Sequence, residues 1–207
     1  MDRKQHEMNA RREFILETAL GIFLEKGLRE TTIEDIARAS DYTRMSVYNH
    51  FKSREDICLQ VFMKDYRRRS QRVLQKIKTV DDPLEKLRLW AWEYYAYSAE
   101  HPHIVELQTY LDYAGLNPER YSESVLTEYH ELNLQLVDVL RGVLNHGLEI
   151  GILHQSVEID TCINQFAYML RAIIHRALSA TYSFLEIEPD QYMEHFIDLF
   201  IRGLRRT

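Results

Sequence analysis

Three helix-start signals lie close together near the beginning of this chain, at Thr32, Thr43 and Ser53. Thr32 and Ser53 are each followed three residues later by an aspartate, which is the spacing of a capping box with Asp in the usual Glu position. Thr43 can cap the helix between them. The pattern predicts two short helices, over 32–39 and 43–50, followed by the start of a long one. A generic helical bundle rarely has three helix starts so close together in sequence.

The rest of the chain also has helical periodicity. Apolar residues recur with a period near 3.6 from about residue 9 to 26, and Gly27 is placed to end that helix. The long helix from Ser53 is predicted to reach about Lys78, and further helices are predicted to begin near Pro83, Pro102, Glu119, Ser156 and Pro189. With only 7 glycines and 4 prolines, an all-β fold is disfavoured. The sequence therefore predicts an all-α protein of about nine helices.

Composition excludes several classes of protein. No apolar run approaches the roughly eighteen residues needed to span a bilayer, and the first residues lack the apolar stretch of a secretory signal. The two cysteines, Cys58 and Cys162, provide no CxxC metal motif or disulfide framework. We expect a cytoplasmic protein without membrane association. Residues 1–54 carry 10 Lys/Arg against 9 Asp/Glu, whereas the remainder carries 16 against 23, so a basic surface near the start is not excluded.

The two short helices are joined by about three residues, which is helix-turn-helix spacing. This motif places its second helix in the major groove of DNA. The turn usually needs a residue with positive φ, and Asp41 is the candidate. Helical spacing in the second helix buries Val47 and leaves an outward face of Arg44, Met45, Asn49 and His50, with Tyr48 at its margin.

The segment TTIEDIARASDYTRMSVYNHFKSREDI, with ILETALGIFLEKGLRETT before it, resembles the DNA-binding segment of the TetR family of bacterial transcriptional regulators. The strong match covers roughly the first 60 residues, and the last helix, FIDLFIRGLRR, is of a kind with which the family often ends. The resemblance implies a three-helix DNA-binding domain over 1–54 and a helical effector-binding and dimerisation domain over 55–207. Asp41 in place of the usual glycine and Met45 in place of a small residue depart from the family pattern.

Carried over by position, the resemblance implies roles for individual residues. Thr43 would cap the recognition helix and touch a phosphate, and the three residues after it would face base edges. Tyr48 and His50 would contact the DNA backbone, and Asn49 could reach either a base or the backbone. Arg54, with Lys52, would hold a phosphate at the next helix start. The complete set of predicted DNA contacts is Thr32, Thr43, Arg44, Met45, Ser46, Tyr48, Asn49, His50, Lys52 and Arg54.

The last two helices are too apolar to stand exposed, which favours a homodimer built on them over packing inside one chain only. The candidate interface residues are Leu170, Ile174, Leu178, Phe196, Phe200 and Leu204.

The middle helices carry many aromatic side chains that suit a mostly apolar effector pocket with a few polar anchors, although an aromatic core explains each of them equally well. The candidates for binding an unidentified apolar or aromatic effector are Trp90, Tyr94, Tyr97, Tyr110, Tyr129, Gln165, Tyr168 and Met169. His101 and His103 with Glu106 could be read as a metal site, but their spacing is not diagnostic, and we expect no metal and no cofactor.

Three functions compete. The favoured one is a dimeric, ligand-responsive transcriptional repressor that binds a palindromic operator in double-stranded DNA and is released by a small-molecule inducer. The second is a nucleoid or division factor whose helical body binds protein partners. The third is an all-helical enzyme, which is disfavoured because the sequence contains no HExxH, GxSxG or P-loop motif.

Overall fold

The computed structural model of this protein describes residues 3–178 and 187–206, and this part of the chain is almost entirely helical. Its only extended pairing is an isolated bridge between Leu153 and Arg205. The all-α prediction is confirmed. The helices are α1 (Arg3–Lys26), α2 (Ile33–Ala39), α3 (Arg44–Tyr48), α4 (Arg54–Ile77), α5 (Pro83–Glu100), α6 (His103–Ala114), α7 (Glu123–Glu149), α8 (Ile159–Leu178) and α9 (Pro189–Leu204). None of these helices is long and apolar enough to cross a membrane.

The chain forms two compact units. The first, here called the head, comprises residues 1–66 and 106–131, and the second, the body, comprises residues 67–105 and 132–207. Helices α4, α6 and α7 each contribute residues to both units. The domain boundary that the sequence predicts after residue 54 stays a prediction.

The head is organised around a small apolar core. Helix α1 packs against α2, which in turn packs against α3. Ile15 and Ala19 of α1, Ile36 of α2 and Val47 of α3 are all fully buried, and Phe51, which follows α3, is 2% exposed. Since Val47 is the buried residue of α3, it fixes which face of that helix points away from the core.

The body is built from α5, α8 and α9 packed on one another. Its core contains Leu87 and Trp90 of α5, Phe166 of α8 and Met193 of α9. Two polar contacts fix α5 on α9: the Tyr95 hydroxyl donates to an Asp190 carboxylate oxygen at 2.6 Å, and the Arg88 guanidinium donates to Asp198 at 2.5 Å.

Most predicted helix starts are confirmed. Thr32 and Thr43 are N-caps, Ser53 accepts a hydrogen bond from the Asp56 amide, and Pro83 and Pro189 are first residues of their helices. The prediction that Ser156 opens the penultimate helix was wrong, because the Ser156 hydroxyl bonds to the His154 ring at 2.6 Å and α8 begins at Ile159. The predicted continuation of that helix through 179–184 lies outside the described residues.

The turn between α2 and α3 is held at Asp41. Its φ is 58°, the left-handed conformation that the sequence predicted, and no other described non-glycine residue has positive φ. Asp tolerates this conformation better than most residues, although glycine adopts it without a steric cost. The Tyr42 amide donates to Ala37 O at 2.9 Å and closes the turn.

Replacing Asp41 by glycine removes the steric cost of positive φ. We expect Asp41→Gly to raise the free energy of unfolding by about 1 kcal/mol or less, because the gain is partly offset by the greater freedom of glycine in the unfolded chain. Urea denaturation measures this change. The Asp41→Ala variant should be less stable than the original chain, because alanine tolerates positive φ less well than either Asp or Gly. A glycine variant no more stable than the alanine variant would contradict this expectation.

Candidate nucleic-acid interface

Helix α3 begins at a side-chain cap. The Thr43 hydroxyl oxygen accepts a hydrogen bond from the Ser46 amide at 3.1 Å, and the two hydroxyls lie 2.9 Å apart. With Val47 buried on the inner side, the outward face is set by helical geometry. The caps and the buried residue therefore orient this five-residue helix without help from a ligand.

The outward face of α3 presents side chains that suit DNA. Met45 is 70% exposed and Tyr48 is 40% exposed, and Arg44 and Asn49 are also exposed. The Arg44 guanidinium lies 5.5 Å from the centre of the Tyr48 ring and donates to the Tyr48 hydroxyl at 3.4 Å. Arg can pair with guanine, Asn with adenine, and an apolar side chain can contact thymine methyls. The face thus carries the side-chain types of base readout.

Helix α2 is anchored by a capping box. The Asp35 amide donates to the Thr32 hydroxyl at 3.1 Å, and the Thr32 amide donates to the Asp35 carboxylate at 2.9 Å. The Lys26 ammonium adds a hydrogen bond at 2.7 Å. Lys26, and then Thr32, hold the pKa of Asp35 far below its usual range. The Thr32 side chain therefore already has a structural role at the helix start, and its predicted DNA contact stays a prediction.

His50, just after α3, is half-buried. Burial, with the nearby positive charges of Arg11 and Arg12, lowers the pKa of its imidazole. The lowered pKa favours the uncharged imidazole, which can still donate one N–H hydrogen bond. Arg12 also donates to the Gln60 side-chain oxygen of α4 at 2.9 Å, which joins α1 to α4.

Arg54, in the first turn of α4, is engaged within the head. One terminal nitrogen donates to the backbone oxygens of Arg29 at 2.9 Å and Thr31 at 3.0 Å. The other donates to Glu55 at 3.1 Å and to the Tyr110 hydroxyl at 2.7 Å. The guanidinium therefore ties the α1–α2 connection and α6 to α4. Its assignment as a phosphate contact, like that of Lys52, stays a prediction.

A second set of bonds joins the start of α4 to the segment between α6 and α7. Asp56 is fully buried, and one carboxylate oxygen accepts from the Ser122 amide at 3.2 Å and the Ser122 hydroxyl at 2.9 Å. The Ser53 hydroxyl donates to Arg120 O at 2.5 Å, and the Lys52 ammonium donates to Pro118 O at 3.0 Å. We call these four contacts the clasp. The sequence signalled only the local capping role of Ser53 and Asp56.

The eight effector candidates are divided between the units. Tyr110 and Tyr129 belong to the head, where Tyr110 bonds to Arg54 and the Tyr129 ring lies 5.9 Å from that of Tyr66. In the body, Trp90 and Tyr97 are buried and Tyr94 is half-buried beneath the Arg69 guanidinium. Three others are exposed: Gln165, Tyr168 and Met169. The structure therefore does not place all eight candidates in one compact unit, and their effector role stays a prediction.

The dimer candidates are mostly inside the body. Four of the six are 2–9% exposed in the single chain, namely Leu170, Ile174, Phe196 and Leu204, while Leu178 and Phe200 are half-buried. A side chain already removed from water has little surface left to lose on association.

The alternative metal site would use His101 and His103 with Glu106. The centre of the His101 ring lies 4.4 Å from that of the Tyr97 ring, and the described residues contain no cluster of three metal-ligating side chains.

Removing the Ser122 hydroxyl tests the clasp. Because the hydroxyl donates to a buried carboxylate, we expect Ser122→Ala to lower the free energy of unfolding by about 1–3 kcal/mol, measured in urea. The exposed Ser124 in the first turn of α7 provides a matched control, and Ser124→Ala should change stability by about 0.5 kcal/mol or less. Equal effects of the two changes would show that the clasp contributes no more than an ordinary surface serine.

Comparison with known proteins gives a consistent result. The family model for bacterial regulatory proteins of the tetR family matches residues 15–61, the segment that contains α2, α3 and the start of α4. The transcriptional repressor KstR2 of Mycobacterium tuberculosis is 29% identical over 161 residues, which are 77% of this chain and 78% of the relative.

Solved structures share the fold over nearly the whole chain. The ketosteroid regulator KstR2 of M. tuberculosis has a TM-score of 0.69 at 21% identity, over 95% of this chain and 96% of the other. FadR of Bacillus subtilis, solved with stearoyl-CoA, has a TM-score of 0.71 at 17% identity, over 93% and 99%. AibR, solved with isovaleryl coenzyme A and operator DNA, has a TM-score of 0.65 at 17% identity, over 91% and 97%.

Proposed function

Because this chain belongs to the TetR family of bacterial regulatory proteins, we propose that it is a transcriptional repressor that binds a palindromic operator as a homodimer and is released by a small-molecule effector. The observation that carries the proposal is the outward face of α3. That helix is capped by Thr43, pinned by Val47 and exposed at Arg44, Met45 and Asn49. A short helix with a polar, exposed outer face has the form that enters a major groove.

A dimer is supported by the apolar surface that α8 and α9 leave exposed. Tyr168 is 64% exposed, Met169 is 45% exposed and Leu199 is 57% exposed. These side chains lie on the two helices that the sequence assigned to dimerisation, although most of the residues first nominated there are buried. A two-fold dimer would present two copies of α3 to two half-sites, which multiplies sequence specificity.

The proposed activity is binding rather than catalysis. Both cysteines are buried, and burial raises the pKa of Cys162 to about 11 and that of Cys58 further still. Neither thiol is therefore a thiolate at neutral pH, and a nucleophilic role would require one. Operator binding also places the protein with the chromosome, in the cytoplasm.

The effector is proposed to have a substantial apolar part, in keeping with the aromatic side chains of the body. Acyl-CoA thioesters are the first compounds to test, since FadR and AibR were solved with stearoyl-CoA and isovaleryl coenzyme A. Helices α4, α6 and α7 have residues in both units, and the clasp and Arg54 connect α4 with α6 and the segment before α7 inside the head. A ligand that prefers one arrangement of these helices would shift the protein between operator-binding states.

Operator recognition is tested by selecting random duplexes on the purified protein, from which we expect a palindrome. On that palindrome, Arg44→Ala should weaken binding by about 1–3 kcal/mol and relax base preference at one position in each half-site. Arg44→Lys keeps the charge but lacks the planar fork of the guanidinium, so it should recover part of the affinity while showing a weaker base preference at that position than Arg44. If Arg44→Ala weakens binding to all duplexes equally and relaxes no position, Arg44 contacts phosphate rather than a base. If selection enriches no palindrome, the proposal is wrong.

Effector release is tested by fluorescence anisotropy of the labelled palindrome. Stearoyl-CoA and isovaleryl-CoA are titrated into the complex, with coenzyme A alone as the control. If one thioester is the effector, it should weaken operator binding by about 5–150-fold, the usual range of coupling between two sites, while coenzyme A alone should not. Operator binding that is indifferent to both thioesters would exclude them as effectors and leave the operator assignment standing.

A further inference from the structure

The five methionines in the described part of the chain differ widely in their exposure to solvent. Met63 and Met193 are buried, whereas Met8 and Met169 are exposed. Met45 in α3 is the most exposed of the five, at 70%. Its thioether sits near the end of a flexible, unbranched side chain, so its sulfur is open to small molecules in solution.

The position of Met45 within α3 gives this exposure a consequence. Met45 follows Arg44 in the first turn of the helix, and the Asn49 amide donates to Met45 O at 3.0 Å, which fixes its backbone in helical geometry. Since Val47 is buried on the opposite side, the Met45 side chain belongs to the outward face. An apolar side chain placed there recognises thymine through its methyl group. A change in the polarity of Met45 therefore changes what the helix can read.

The two thiols of the chain are poorly placed to react with an oxidant. Cys58 and Cys162 are both buried, and burial raises the pKa of each thiol. Cysteine oxidation begins from the thiolate and requires access, and neither thiol provides these at neutral pH. A thioether has no proton to lose, so its oxidation depends chiefly on exposure. Among the described sulfur atoms, the conditions for oxidation are therefore best met at Met45.

We propose that Met45 is an oxidation site through which peroxides weaken DNA recognition by α3. One oxygen atom is transferred in the reaction. The thioether sulfur gives up two electrons and forms an S=O bond, while the O–O bond of the peroxide breaks and its other oxygen leaves as water or an alcohol. Methionine sulfoxide reductases reverse the change. The inference rests on the proposed operator binding and adds a regulated residue to it.

The product has a defined effect on base contacts. Methionine sulfoxide is polar, and its oxygen accepts hydrogen bonds but donates none. The major-groove edge of thymine presents a methyl group and an acceptor oxygen, so it offers the sulfoxide oxygen no donor. Oxidation thus replaces a favourable apolar contact with the cost of removing a polar group from water. A two-fold dimer bears this cost once in each half-site.

The test compares the full chain before and after treatment with hydrogen peroxide. Fluorescence anisotropy measures its affinity for the palindrome obtained by selection, and peptide mass spectrometry follows each methionine. We expect Met45 to be oxidised before Met63 and Met193, and the affinity to fall about tenfold or more. Methionine sulfoxide reductases should restore it. Palindrome added before the peroxide should slow the oxidation of Met45, and a scrambled duplex should slow it less.

Three variants assign the effect to this residue. Met45→Leu has no thioether, so its affinity for the palindrome, whatever its value, should be the same before and after peroxide. Met45→Gln carries a polar side chain of similar length and should bind weakly without peroxide. The matched control replaces the two other exposed methionines together, as Met8→Leu with Met169→Leu, and peroxide should weaken its binding by the same factor as in the original chain.

Three results would each overturn the proposal. They are oxidation of Met45 no faster than that of the buried methionines, equal affinity with and without the sulfoxide at Met45, and a Met45→Leu variant that peroxide weakens as much as the original chain. Each of them leaves operator recognition standing, because the unoxidised protein is measured on the same palindrome. If the unoxidised protein selects no palindrome, the proposed function fails and this inference fails with it.

Discussion

The arrangement of the head depends on the hydrogen bonds that the buried Asp56 carboxylate accepts. One of its oxygens accepts from the Lys52 amide at 2.9 Å, and the other accepts both hydrogen bonds from Ser122. A buried charge is tolerated only when its acceptor positions are satisfied, so these donors must stay in place whenever the head is folded. The carboxylate also lies in the first turn of α4, where the helix dipole favours negative charge. It thereby fixes the link from α3 to α4 and the segment before α7 at one point.

Arg54 has a similar role at the other side of the same helix turn. Arg54 donates hydrogen bonds to two backbone carbonyls of the α1–α2 connection and to the Tyr110 hydroxyl. The sequence had suggested that the same guanidinium contacts a phosphate. The predicted DNA contacts thus fall into two groups that differ in whether the side chain already has a partner inside the head. The side chains of α3 face outward from a core pinned by Val47, while Arg54 and Lys52 already have partners inside the head. Base readout by Arg44 would compete only with its long contact to Tyr48, and readout by Ser46 only with the contact between its hydroxyl and that of Thr43. A phosphate contact from Arg54 would compete with four hydrogen bonds.

The features that the sequence predicted well are local in the chain. Capping by Thr32, Thr43 and Ser53 depends on residues three positions apart, and the positive φ of Asp41 depends on the chemistry of one residue. The features it missed connect distant positions. Ser122 lies 66 residues from Asp56, and Tyr110 lies 56 residues from Arg54, so no periodicity or spacing links them. The start of α8 was misplaced for a local reason, since Ser156 uses its hydroxyl for His154 instead of a helix amide.

The last two helices show where periodicity stops being informative. Their apolar residues cover more than one face, and a sequence pattern cannot tell which face is used within the chain and which between chains. The structure shows which face is used within the chain, because Leu170, Ile174 and Phe196 fill the body core while Tyr168, Met169 and Leu199 remain exposed. The Arg171 guanidinium lies 4.6 Å from the centre of the Tyr168 ring, which gives this apolar surface a polar edge of the kind found around interfaces. In a two-fold dimer the same exposed residues would meet their own copies, so a single self-complementary patch would satisfy both chains at once.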